Sequence, residues 1–285
     1  MTDTQFRILQ DLANAFLWLA VLSVVFVPLE SLFPHIARRR WRHGMSLDIG
    51  WYFLSSLALT FLLAFPVSIL VLLAGGIIPS AIPEFIAGLP VAAKFGIGMF
   101  ASETGYYWGH RLSHENAWLW SFHSVHHSSE ELDYLSNTRA HPIDMILSRL
   151  FALAPLYLIG IGSTGHAGGL MVPATVTIAA NFWGYFIHSN LRWRFGFLEK
   201  IVATPPFHHW HHSAIAPMKI NYSTSLPLID IIFGTFHLPR HEWPERYGID
   251  EPMPNTLIGQ LLHPFVDDEE TPGKTKPQDR SSEAP

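Results

Sequence analysis

Two long stretches without a single charged side chain constrain this chain more than any other feature. Leu12 to Leu29 carries none, and a second run lies between Asp48 and Glu84, with WYFLSSLALTFLLAFPVSILVLL at its centre. A helix needs about 20 apolar residues to cross the hydrocarbon core of a bilayer, so each run can span. No basic segment precedes the first run and no small-residue cleavage site follows it. It therefore reads as a retained span rather than a signal peptide. Composition agrees, because 49% hydrophobic and only 14% charged residues leave too little polar surface for an ordinary soluble domain.

A third apolar stretch runs from Phe85 to Trp108, interrupted by Lys94 and Glu103. A fourth, between Arg149 and Arg192, is long enough for two legs joined at GSTGHAGG, Gly162 to Gly169. Each leg can be a full span or half of a re-entrant hairpin. Basic residues gather in ARRRWRHG, Ala37 to Gly44, between the first two runs, and the positive-inside rule assigns that loop to the cytoplasm. From there each hairpin returns the chain to its starting side, so HRLSH, FHSVHHS, IHSN and FHHWHHS are all expected at one membrane face.

Those four segments hold the chemistry. His110 and His114 are spaced i, i+4; His123, His126 and His127 are spaced i, i+3, i+4; His208, His211 and His212 repeat that second spacing. On helices such offsets are expected to set the rings on one face, within reach of a shared ion. Eight imidazoles are too many for one ion and suit two. The chain has no cysteine, so disulfides, iron–sulfur clusters, thiolate-bound haem and cysteine nucleophiles are excluded. Imidazole accepts Fe, Zn, Cu or Ni, and ligand type alone does not choose among them. The HExxH signature of zinc proteases is absent. The alternatives are a metal transporter and a di-metal membrane hydrolase; transport would need ionisable residues strung through the membrane rather than gathered at one face.

ETGYYWGHRLSH, FHSVHHS, RAHPID, TPPFHHWHHS and NYSTSLPLIDIIFGTF resemble the fatty acid hydroxylase/sterol desaturase superfamily over residues 95 to 239. The resemblance implies membrane-embedded, non-haem di-iron oxidoreductases that use O2, with His110, His114, His123, His126, His127, His208, His211 and His212 as ligands. His188 matches a further family histidine, and His141 falls at a recurring position as a ligand or a supporting group. Glu103, where many relatives carry Asp, is expected to bond a ligand imidazole, with an ion pair to Arg111 as the alternative. Asp144 and Asp230 are supporting candidates of the same kind. His209, at the variable position of its box, is expected to be no ligand, nor are His35, His43, His166, His237, His241 and His263. Tyr106, Tyr107 and Trp108 could line a lipid access route or form an interfacial belt.

The expected architecture is an all-α integral membrane protein of about four to five transmembrane or re-entrant helices beneath a cytosolic, histidine-rich helical cap. Its segments are an N-terminal hairpin region (1–94), a catalytic domain (95–240), a C-terminal extension (241–266) and a disordered tail (267–285). Two iron ions and O2 are the implied cofactor and co-substrate, and hydroxylation or desaturation of an acyl chain, sterol or carotenoid-like lipid is the implied reaction. No GxGxxG fingerprint opens a βαβ unit, so electrons must come from a separate cytochrome, ferredoxin or reductase. The RRRWR loop could meet an acidic donor of that kind or anionic lipid headgroups. Nothing in the charge pattern points to nucleic acid.

Overall fold

A computed structural model describes residues 2–39, 41–162, 171–215 and 219–266. The expected disordered tail and His166 lie outside the described residues. Among those described there is no strand, only the isolated bridges Pro34 to Leu191 and Ser213 to Tyr247. The helices are α1 (Asp3–Leu32), α2 (Met45–Ile77), α3 (Ala81–Ala87), α4 (Val91–Glu115), α5 (Ala117–His127), α6 (Pro142–Leu158), α7 (Met171–His188), α8 (Pro205–His211), α9 (Leu228–Phe233) and α10 (Leu257–Leu262).

The two uncharged runs become the two longest helices. α1 starts where the Thr2 hydroxyl accepts from the Gln5 amide while the Gln5 side chain accepts from the Thr2 amide, a capping box. Thr4–Leu32 is an unbroken helix long and apolar enough to cross a membrane, with a mean hydropathy of 2.2. α2 qualifies only as a bent pair, Met45–Ala58 and Phe61–Ile77, at 47° to each other. Both show apolar side chains outward: Val24 is 74% exposed, Phe61 83% and Leu72 75%.

Of the four to five expected spans, the later ones are shorter or more polar than the first two. α6 has 17 residues and α7 has 18, roughly 25–27 Å of helix against about 30 Å of hydrocarbon. α6 also begins at Pro142, so Arg149 lies inside it rather than before it as the sequence suggested. The turn after α6 opens on Gly160 and Gly162, whose φ of 79° and 103° would strain any residue with a Cβ.

α4 packs on α6 through glycines that the sequence shows as GYYWG. A Cβ on Gly105 would stand 2.0 Å from the Phe151 carbonyl oxygen, and one on Gly109 would stand 2.7 Å from the Phe151 Cβ. Small residues four apart let two backbones approach closely, the arrangement that membrane helices favour. This contact sets α4, which carries His110 and His114, against α6, which carries Asp144.

At the same end of the bundle as those histidines, a buried ion network holds the cap to α2. The Arg42 guanidinium donates to Asp48 at 2.5 Å and to both Asp133 oxygens at 2.6 Å, and Arg139 donates to Asp48 at 2.6 Å. The Thr138 hydroxyl donates to the Asp48 carbonyl, and the Tyr134 and Asn190 amides donate to the Glu30 carboxylate. Part of the basic loop is thus drawn into the fold: Arg42 is buried because Asp48 and Asp133 need a cation beside them away from water, and Arg38 donates to the Leu132 carbonyl, while Arg39 stays exposed.

Gly105→Ala should lower the thermal midpoint in detergent by the equivalent of about 1–3 kcal/mol of overpacking. Gly96→Ala, in the same helix with nothing within 4 Å of its Cβ, should not. Equal midpoints for the two variants would contradict the close α4–α6 approach.

Candidate metal centre

The histidine boxes meet at the cap end of the bundle as two adjoining groups. His110, His114, His123, His127 and His211 form one, and His126, His188, His208 and His212 form the other. In each group the ligand atoms all lie within 4.8 Å of one another. The groups touch, with the His127 ring stacked on that of His212 at 4.4 Å.

Each HxxHH box is divided between the two groups, contrary to the shared ion that its spacing suggested. Successive helical residues are about 100° apart, so the i, i+4 pair shares a direction while the third ring turns away. On α5, His123 and His127 enter the first group and His126 the second; on α8, His208 and His212 enter the second and His211 the first. The two boxes thus interlock, and neither group is complete without both. α4 adds His110 and His114 to the first, and the last residue of α7 adds His188 to the second.

Local structure explains how such short helices hold these rings. Asn116 ends α4 and caps α5, its side chain accepting from the Leu119 amide. α8 starts on Pro205 and Pro206, residues suited to a first turn whose amides lack partners. Asp230 accepts from the Tyr222 and Ser223 amides at 2.7 and 3.0 Å and ties the segment after α8 to α9.

The outward-facing nitrogens are anchored mostly to backbone. Nδ1–H of His110 donates to the Tyr222 carbonyl at 2.7 Å, His126 to Arg139 at 2.9 Å, His188 to Gly184 at 2.7 Å and His211 to Ile220 at 2.8 Å. His123 donates to both Asp144 oxygens at 3.1 Å. A donor role at Nδ1 fixes the tautomer and leaves a lone pair on Nε2.

Those lone pairs converge. Nε2 atoms stand 3.1 Å apart in His110 and His123, 3.2 Å in His126 and His188, and 3.0 Å in His188 and His208. Nitrogens bound to one ion at about 2.1 Å stand about 3.0–3.4 Å from each other, so the spacing is that of a coordination shell. Nε2 of His211 and both nitrogens of His114 are buried without a hydrogen-bond partner. The groups therefore fit two metal ions held by imidazole alone. Burial, then neighbouring imidazoles, pushes His126 down to about 4 and His127, His208 and His212 well below the usual histidine value. Neutral rings are the form a metal requires.

Other expected residues take different places. Asp144 supports His123. Glu103 bonds no imidazole; it accepts from the Thr224 and Ser225 amides, the latter at 2.7 Å, while Arg111 pairs with Glu115. The reason is that the backbone following Asn221 presents amides that no helix satisfies. Glu103 and Asp230 thus act together, gripping the segment whose Tyr222 carbonyl anchors His110. His141 stands outside both groups as the N-cap of α6, its Nδ1 accepting from the Ile143 amide and its Nε2–H donating to the Leu261 carbonyl. His209 is buried away from both, bonded to the Tyr247 hydroxyl and the Ser189 carbonyl. The anchoring carbonyls of Arg139, Gly184, Tyr222 and Ile220 were missed, because a carbonyl leaves no mark in residue type. The GYYWG spacing was a signal that was present and unused.

Residues 95–235 match the family described as fatty acid hydroxylase, and the segment includes every histidine of both groups. The chain carries a fatty acid hydroxylase domain. It is 34% identical to ornithine lipid hydroxylase OlsE of Rhizobium tropici over 62% of this chain and 51% of that protein. It is 33% identical to alkylglycerol monooxygenase of Homo sapiens over 52% of this chain and 31% of that one. It is 30% identical to the very-long-chain aldehyde decarbonylase GL1-6 of Oryza sativa subsp. indica, over 55% and 25% respectively. The chain thus spans about half the length of the first of these relatives and a third or less of the other two. No solved structure matches it.

Asp144→Asn, which removes the charge behind His123, should weaken metal retention about 10–100-fold in a chelator competition. His209→Ala should retain metal as the unaltered chain does. Metal loss in His209→Ala equal to that in Asp144→Asn would contradict the separation drawn between the two residues.

Proposed function

We propose that this chain is an integral membrane, di-iron, O2-dependent oxidoreductase that hydroxylates or desaturates a C–H bond of a lipid. The observation that carries the proposal is the pair of interlocked all-imidazole groups at one end of a bundle whose longest helices turn apolar side chains outward. The names of the relatives support it: one is an ornithine lipid hydroxylase, one an alkylglycerol monooxygenase and one a very-long-chain aldehyde decarbonylase.

His110, His114, His123, His127 and His211 would hold one iron, and His126, His188, His208 and His212 the other. When bound, the pair supplies the redox chemistry that O2 needs to attack an unactivated C–H bond. The chain supplies orientation. Asp144 keeps the proton of His123 on Nδ1, and the four backbone carbonyls do the same for their rings, so Nε2 of those five rings stays available. Tyr107, Tyr222 and Ile229 pack as a buried apolar cluster beside the first group and exclude water from it.

Hydroxylation consumes one O2, two electrons and two protons for each C–H bond converted to C–OH, with water as the second product. A separate one-electron carrier, such as a cytochrome or ferredoxin with its reductase, supplies the electrons. The cap lies at the same end of the bundle as the 37–44 loop, so the positive-inside rule assigns the centre to the cytoplasmic face. The catalytic unit would then be residues 95–240, with the first 94 residues anchoring it and 241–266 bracing it through α10. That bracing includes the Trp51 indole, which donates to the Gln260 side chain at 2.7 Å.

Turnover of a lipid extract under 18O2 should place the label in the product alcohol, or yield an alkene without label. Label entering from H2 18O instead would favour a hydrolase. His126→Ala should reduce turnover at least 100-fold while the protein still inserts, and retained turnover would remove that ring from the centre.

A further inference from the structure

Arg149 is the basic residue of the helical bundle that the metal centre does not explain. It lies in the middle of α6, and no carboxylate pairs with it among the described residues. Its guanidinium donates to the Asn181 side chain on α7, and the other groups that it feels electrostatically are the hydroxyl-bearing rings of Tyr106 on α4 and Tyr185 on α7. A guanidinium held among apolar helices without an opposite charge is costly, and such residues mark ligand sites more often than structural ones.

The placement of these four residues is regular. Tyr106 is four residues before His110, and Tyr185 is three residues before His188. Arg149 is five residues beyond Asp144, and Asn181 is seven before His188. At about 1.5 Å of rise per residue, all four lie about 5–10 Å from the metal layer on the side away from the cap. Tyr106 reaches back to the centre itself, its ring 5.3 Å from that of His110. α6 packs on α2 and α4 and α7 packs on α4, and the apolar contact between α6 and α7 lies farther from the cap, at Leu156, Val172 and Val176, so the Arg149 bond to Asn181 joins the two helices by a polar contact on its cap side. All four residues are partly exposed, and neither tyrosine hydroxyl has a hydrogen-bond partner among the described residues. Both hydroxyls are unspent donors.

We propose that a cleft between α6 and α7, on the cap side of their apolar contact, binds a lipid through an anionic group, a carboxylate or a phosphate, seated on Arg149 with Asn181, Tyr106 and Tyr185 around it. A guanidinium offers two parallel N–H donors that match either oxyanion. This deepens the proposed function and rests on it for one point, that the bound lipid is the substrate. Because the cleft adjoins the metal layer, the carbons offered for oxidation are those a few bonds from the charged group rather than the far end of the chain.

The test is binding of three probes to the full-length, metal-loaded protein in neutral detergent: oleate, dioleoyl phosphatidic acid and oleyl alcohol. At least one of the acids should bind 10-fold or more tightly than the alcohol. Oleate alone would identify a carboxylate, phosphatidic acid alone a phosphate, and both the shared chemistry. Arg149→Met should abolish the preference by bringing acid binding down to that of the alcohol, and Arg149→Lys should keep part of it. Acids that bind no tighter than the alcohol, or a preference that survives Arg149→Met, overturn the proposal. If Arg149→Met does not accumulate, the double variant Tyr106→Phe, Tyr185→Phe should weaken acid binding about 3-fold, and unchanged binding overturns it. No turnover is needed, so an acid-selective cleft in a protein that oxidises no lipid would sink the proposed function and leave this site standing.

Discussion

Imidazole lone pairs that face one another at 3.0–3.2 Å, out of reach of water, repel unless a cation lies between them. In the His110–His123 and His126–His188 pairs a change of tautomer cannot relieve that repulsion, because Nδ1 of each ring already donates its proton to a carbonyl or to Asp144. Nor can His126 and His188 relieve it cheaply by protonation, since burial and the neighbouring rings both disfavour the charged form. A metal that the two groups bind would therefore be coupled to the folding of the cap, as in other sites whose ligands are brought together only by the folded chain.

That constraint accounts for much of the surrounding architecture. The carbonyl that anchors His126 belongs to Arg139, whose guanidinium is fixed by Asp48, which is in turn bound to Arg42. The carbonyl that anchors His110 belongs to Tyr222, whose amide is held by Asp230 and whose following residues are held by Glu103. The buried carboxylates of this protein thus act mainly on backbone, and backbone acts on the ligands. Ion pairs so placed add little net stability over apolar replacements, but removing one partner strands the other, so the network defines a geometry more than it adds stability.

The sequence made the ligand set legible because histidine at helical spacing is rare and chemically specific, and hairpin topology correctly brought the boxes to one end. It did not show that each HxxHH box is shared between two groups. That division follows from the 100° step between neighbouring residues, and it becomes visible only when a second box arrives from the opposite side. The role expected of Glu103 differed because the unsatisfied amides at Thr224 and Ser225 compete for its oxygens, and unpaired amides are not written in residue identity. His141 carried the right residue type in a family-like motif and became a helix cap. Arg149 was read as the edge of an apolar run, although it sits inside α6 beside the centre.

What occupies the two groups decides the chemistry of this chain. Elemental analysis of the purified full-length protein, combined with iron K-edge absorption spectroscopy, should give two irons per chain, each in a first shell rich in imidazole nitrogen. Zinc in place of iron, or a single metal per chain with the second group empty, would contradict it.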